Sequence, residues 1–191
     1  MEILSEDMHF STLENMPISE KSNLYQSLDR NSKSIRLCKL HAGGKLDVIG
    51  LTIYTEDLSN RPEYDALSYV WHPEHIGGRT WDNEKYYPNY PKVDCIFALA
   101  RMSSDAAWMK IALEQNLGQA LYSIRRPDAD RFMWIDAICI DQSNTEERNY
   151  QVGLMGDILF GTSSCCLAWC SRGPEQRCDA MSKHRKLPFI W

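Results

Sequence analysis

The chain lacks a surplus of basic residues, a long apolar run and a glycine-rich phosphate signature, and each absence excludes a class of function. It carries 21 Lys and Arg against 26 Asp and Glu, a formal net charge of -5, so no excess of cations exists to neutralise nucleic-acid phosphates. The one basic cluster, KHRK at 183–186, reads as a solvated tail. No stretch approaches the roughly 20 apolar residues needed to cross a bilayer. The opening MEILSEDMHF places Glu2, Glu6 and Asp7 where a secretory signal needs a basic start and an apolar run. The expectation is a cytoplasmic protein with no membrane or nucleic-acid partner. Neither G-x-G-x-x-G nor a Walker loop occurs, which leaves dehydrogenase and NTPase readings without support.

Paired metal knuckles are also missing. The seven cysteines are odd in number and irregularly spaced, so they read as free thiols of a reducing compartment. Cys165, Cys166, Cys170 and Cys178 cluster, and His72 and His75 stand three apart, but no C-x-x-C pair occurs. Two of these cysteines fall within an apolar strand pattern, where adjacent side chains point to opposite faces. No metal site is expected.

What is present is an ordinary globular composition, 43% hydrophobic and 25% charged over 191 residues, enough for one domain with a sizeable core. Residues 1–24 are polar and unpatterned and read as a loose arm. SIRLCKL (34–40) alternates Ile35 and Leu37 with Arg36, as a half-buried strand does. After Gly43-Gly44, VIGLTIY (48–54) puts Ile49, Leu51 and Ile53 on one face, so the pair predicts an N-terminal β-hairpin. YDALSYVW (64–71) is dense in apolar residues and reads as a strand buried on both faces. Residues 72–94, rich in Pro, Gly and Tyr, form a lid or an ordered aromatic loop.

From Trp108 the apolar spacing becomes helical through Met109, Leu113, Leu117, Ala120, Leu121 and Ile124, ending before Pro127. The helix begins near Ser104-Asp105, or at Asn116 with MKIAL as a separate short strand. FMWIDAICI (132–140) reads as a second buried strand. A helix follows, with Ser143 and Glu146 as a capping box and Val152, Met155, Ile158 and Leu159 as its buried stripe. SSCCLAW (163–169) is a third buried strand. The remainder, 171–191, is an irregular tail. Strands alternating with helices predict an α/β fold with a parallel central sheet, whose ligands sit beyond the carboxyl ends of the strands.

That order frames a question raised by Asp136, a carboxylate inside an apolar run, where an unpaired charge costs several kcal/mol. It reads as a buried structural carboxylate bonded to amides or a hydroxyl, with catalysis as the alternative. Asp141-Gln142 falls at the carboxyl end of the second strand. Arg148 at the following helix start suits a phosphate, or with Glu147 an ordinary surface pair. Cys139 lies in an apolar strand with no His in any nucleophile motif, so it reads as an inert thiol with a raised pKa.

Three blocks resemble the fungal heterokaryon-incompatibility (HET) domain: YDALSYVW (64–71), NLGQALYSIR (116–125) running into WIDAICIDQ (134–142), and ERNYQVGLMGDIL (147–159). The match covers residues 25–170. Two departures stand out. The family has Gly after the Trp of the first motif, where this chain has His72, and it continues to an aromatic-rich helix bearing Gln-Glu, which this chain lacks before Trp191. The chain looks like a short member. The resemblance implies signalling in fungal allorecognition and regulated cell death through self-association or protein partners. It also implies a distant likeness to the Toll/interleukin-receptor (TIR) domain, a flavodoxin-like α/β sheet with an N-terminal hairpin here. Some TIR-like relatives cleave NAD, so the alternative is an NAD glycohydrolase in which a carboxylate at the sheet's carboxyl edge stabilises an oxocarbenium-like transition state. No cofactor is expected, and NAD enters only as a substrate. No residue is assigned catalysis outright; the nearest candidates are Asp141 and Glu147. Ser68, Trp71, Asp136, Gln142 and Arg148 are the ligand-binding candidates.

Overall fold

A computed structural model describes residues 15–44, 47–69 and 95–168, with 68, 69, 95 and 164–168 as backbone. Residues 34–40 and 49–57 are the predicted hairpin, β1 (Ser34–Leu40) and β2 (Ile49–Asp57), paired antiparallel from Ser34↔Asp57 to Leu40↔Leu51. Around it lie β3 (Asp65–Tyr69), β4 (Cys95–Met102), β5 (Met109–Glu114), β6 (Arg131–Ile135) and β7 (Ser164–Ala168). The seven strands form one sheet in the order β5-β4-β2-β1-β6-β3-β7. The fold is mixed α/β.

The sheet's parallel part contains the three strands read from the apolar runs. β3 pairs in parallel with β6 on one side, Leu67↔Ile135, and with β7 on the other, Asp65↔Ser164 to Tyr69↔Ala168. The rest of the sheet is mixed, where a parallel central sheet with an N-terminal hairpin was expected. β1 is antiparallel to both β2 and β6, and β5 is antiparallel to β4. The hairpin therefore sits in the middle of the sheet and not beside it. The sequence reading assigns no element to residues 95–102, where the structure has β4, parallel to β2 from Ile49↔Ala98 to Ile53↔Met102.

The central position of β1 explains another difference. A half-buried strand was expected, but Ile35, Arg36, Leu37 and Cys38 are all 1% exposed or less, because β1 is flanked by strands and covered on both faces. Residues 15–24 are docked as well, contrary to the loose arm. Leu24, in a 3-10 turn (Lys21–Leu24), is 1% exposed, and the Ser19 amide donates to the Lys110 carbonyl at 2.7 Å.

Three helices complete the described chain: α1 (Gln115–Ile124), α2 (Asp136–Cys139) and α3 (Thr145–Gly161). Of the two starts considered for α1, the one with a separate strand is nearer, since residues 109–114 are β5, but the helix begins at Gln115 with Glu114 at the cap position, and Asn116 lies inside it and not at its cap. Leu117, Ala120, Leu121 and Ile124 face the core. Gly118 lets α1 approach β4 closely, since a Cβ there would lie 2.7 Å from the Cβ of Ile96. The run 132–140 is not one strand. β6 stops at Ile135 and the next four residues make a single helical turn, which a short apolar run does not distinguish from strand.

Helix α3 departs from its expected pattern at both ends of the argument. Its cap is Asn144, whose Oδ1 accepts from the Glu147 amide at 3.1 Å, so the Ser143–Glu146 box does not form. Its buried residues are Glu147, Gln151 and Ile158, whereas Val152, expected inside, is 48% exposed and Met155 and Leu159 are half-buried. The polar pair turns inward because β1 supplies its partners: Gln151 Nε2 donates to the Ser34 carbonyl at 2.9 Å, and Glu147 meets Arg36.

Candidate functional site

The carboxyl end of β6 gathers most of the residues singled out from the sequence. Pairing between β6 and β3 ends with Ile135 opposite Leu67, so Asp136 leaves the sheet at the level where β3 continues through Ser68, still paired with β7. Asp136 is half-buried and lies at the strand's end, not within it as the apolar run suggested. Its Oδ1 accepts from the Ala137 amide at 2.7 Å, and its carbonyl accepts from the Ile140 amide and from Gln142 Nε2, both at 3.1 Å. The residue thus starts the helical turn that halts β6 and ties Gln142 back over it.

From Ile140 the chain turns through Asp141–Asn144. Asp141 Oδ1 accepts from the Ser143 amide at 3.0 Å and the Ser143 hydroxyl at 2.6 Å, an Asx-type turn that leads into the Asn144 cap. This is the partner Ser143 uses in place of Glu146, which is exposed and pairs with Arg30 at 2.7 Å.

Glu147 occupies a different place from the one expected of a catalytic carboxylate or a surface pair. It is 8% exposed, and its two oxygens accept from Arg36 Nη1 at 2.5 Å and Nη2 at 3.0 Å, in the forked geometry that suits guanidinium to carboxylate. Its Oε1 also accepts the Asp141 amide at 2.8 Å. Arg36, fully buried, donates further to the carbonyls of Cys139 at 3.2 Å and Gln26 at 2.5 Å, and the Tyr25 ring lies 4.7 Å from its guanidinium carbon. One ion pair therefore joins β1, the residues before it, α2, the Asp141 turn and α3. Its signal in the sequence was a single Arg inside the apolar run of β1.

Of the other candidates, Arg148 is exposed on the first turns of α3, and Trp71 lies outside the described residues, as do the predicted lid at 72–94 and the tail at 171–191. Burial first, with a smaller contribution from Asp136, pushes the Cys139 thiol up to about 12 against the lowering effect of the Ile135 amide. It is a packed thiol, as is Cys38, which burial also raises. Among the described residues no group of three or more His, Cys, Asp or Glu is placed to hold a metal ion. No described helix is long and apolar enough to cross a membrane.

The arrangement is a small polar edge of Asp136, Asp141 and Gln142 at the carboxyl ends of parallel strands, where open α/β sheets receive ligands, backed by an internal ion pair. No solved structure matches this chain. The Heterokaryon incompatibility protein 6, OR allele, of Neurospora crassa is 33% identical over 149 residues, which is 75% of this chain and 19% of the relative. The chain thus spans about a fifth of that relative's length. The family model for heterokaryon incompatibility proteins matches residues 64–189, starting at the residue before β3 and running past residue 170, where the resemblance read from the motifs stopped. With that match across most of its length, the chain belongs to the heterokaryon incompatibility (HET) family.

Proposed function

We propose that this domain is a signalling module in fungal allorecognition and regulated cell death, acting mainly through self-association or through binding a protein partner. Family membership supports the heterokaryon-incompatibility role. The observation that favours assembly over turnover is the engagement of Glu147: both of its oxygens are taken by Arg36 and the Asp141 amide, so it is a structural group and not a carboxylate free to face a sugar. A cytoplasmic setting agrees with the free thiols of Cys38 and Cys139. Induced expression in a filamentous fungus, followed with a viability dye, tests the role. Death at matched expression, with no release of nicotinamide by the purified protein, is the expected result. Unchanged viability at high expression would overturn it.

A second reading rests on Asp136, Asp141 and Gln142 converging at the carboxyl edge of the β6-β3-β7 block. There a carboxylate would steady the ribosyl cation formed as nicotinamide leaves NAD, in the manner of the TIR-like, flavodoxin-like sheets. Incubation of the purified chain with NAD at high protein concentration decides between the two. Free nicotinamide that is lost on Asp136→Ala or Asp141→Ala selects the enzyme.

A further inference from the structure

At the far end of α3 from Asp141, about 25 Å along a helix of this length, the surface has an unusual composition. Phe160 is 93% exposed. It stands on the rim of an open pocket of about 480 Å³ whose walls include Leu58, Pro62, Tyr64, Arg61 and Asp157. Along the same side of α3, Val152 is 48% exposed, and a Cβ placed on Gly153 or Gly156 would meet nothing within 4 Å. Nothing within the described chain therefore explains two mid-helix glycines, each costing about 1 kcal/mol relative to Ala. Between Val152 and Phe160 this face carries two glycines in place of longer side chains, and it ends in a protruding ring.

We propose that this patch is a two-fold interface with a second copy of the chain, in which Phe160 of each copy enters the pocket of the other. The inference deepens the module reading and rests on it. An isologous contact requires one patch to supply both halves of every interaction, and this one does. It holds a protruding ring and a recess of mixed polarity whose Leu58, Pro62 and Tyr64 walls can receive it. It also holds both signs of charge: Arg61 is exposed, and the Asp157 side chain is 54% exposed although paired with Lys33 at 2.7 Å. A second copy related by a two-fold brings its Asp157 toward Arg61 and its Arg61 toward Asp157, a complementarity that a uniformly acidic or basic partner does not match. Burying one Phe removes roughly 150–250 Å², a fifth or more of the ~800 Å² that a specific interface buries per partner. The contact thus extends over the outer face of α3, where Gly153 and Gly156 permit close approach of another helix.

Sedimentation of the purified full chain over a range of concentrations tests this. The wild-type chain is expected to dimerise. Phe160→Asp is expected to weaken the dimer by more than about 30-fold, as loss of a central aromatic anchor does, while its thermal unfolding stays that of a folded monomer because the side chain packs against so little. Arg61→Asp and Asp157→Arg each weaken association, and combining them restores it, since in a two-fold dimer the swapped charges meet again. Assembly that survives Phe160→Asp and both single charge changes would overturn this interface while leaving the module reading intact. A chain that stays monomeric at every concentration would also overturn it, and the viability assay then judges the module reading separately.

Discussion

Replacing Glu147 by Ala should be among the most damaging single changes in the chain. The carboxylate is 8% exposed and its partner Arg36 is fully buried. Removing it leaves a guanidinium with the Cys139 and Gln26 carbonyls but no counter-charge, and it leaves the Asp141 amide without its acceptor. Breaking a buried pair from one side costs about 3–5 kcal/mol, a large part of the ~5–15 kcal/mol that holds a typical domain. At about 2–4 °C per kcal/mol for a chain of this size, the melting temperature should fall by about 6–20 °C. Glu147→Gln keeps an oxygen for the Asp141 amide but removes the charge, and should fall between Ala and wild type. The double replacement Arg36→Met with Glu147→Met should cost less than the two single replacements added, by at least about 2 kcal/mol, because neither charge is then left alone. Thermal and urea unfolding of the four proteins closes the cycle. If Glu147→Ala lies within about 1 kcal/mol of wild type, the pair is not the internal tie described, and the case against Glu147 as a site carboxylate goes with it.

Glycine substitutions in the two longer helices should have opposite signs. Gly118→Ala should destabilise by about 1–3 kcal/mol, because its Cβ would overlap the Ile96 side chain. Gly156→Ala should stabilise the monomer by about 1 kcal/mol, because its Cβ meets open space; chemical denaturation of dilute protein compares the two. Burial would raise Asp130, but the Ala42 amide, Lys39 and His41 outweigh it and hold the carboxyl below its ordinary value of 3.8. A depressed folded pKa adds stability above the unfolded value and loses it as pH falls through the folded one. Asp130→Asn keeps an oxygen for the Ala42 amide but loses the charge that faces Lys39, so it should be less stable than wild type at pH 7 by up to about 1 kcal/mol, and the gap should close below pH 3.8. Native protein treated with iodoacetamide at pH 8 should leave Cys38 and Cys139 unmodified in peptide mass maps, because burial keeps both thiols protonated, and both should label once urea unfolds the chain.

The parts legible in the sequence were those with strong local periodicity. Ile49, Leu51 and Ile53 announced β2, and the dense runs at 64–71 and 163–169 announced two strands, β3 and β7, that do pair in parallel with each other, with β6 parallel on the other side of β3. The parts missed depend on neighbours distant in the chain. β4 is an apolar run after a Pro- and Gly-rich stretch, with no turn signal tying it to β2, its parallel partner some 50 residues earlier. Glu147 lies 111 positions from Arg36, so a reading of local pattern left Arg36 on the outer face of a half-buried strand and Glu147 as either a site carboxylate or half of a surface pair. The same reading sent Val152 inward, since it counts apolar residues and cannot see that Glu147 and Gln151 already occupy the inner face of α3.

That exchange on α3 links the site to the surface. A helix held by the expected apolar stripe would bury Val152, Met155, Ile158 and Leu159 and offer a polar outside. Here the inner face is held at Glu147 and Gln151 by directional bonds to β1, with Ile158 as its one fully buried apolar side chain, and the outside keeps Val152, Gly153, Gly156 and Phe160. A buried ion pair adds little net stability over well-packed apolar residues, but its bonds tolerate little displacement. Apolar contacts would let α3 slide or roll on the sheet, whereas the forked Arg36–Glu147 bond together with the Asp141 amide fixes both its rotation and its start. Fixing the rotation is what keeps Phe160 pointing outward beside its pocket, so the buried pair and the exposed ring are two ends of one rigid element. A change at Arg36 should accordingly weaken association through the α3 face even where the fold survives, and a change at Phe160 should leave the Arg36 network untouched.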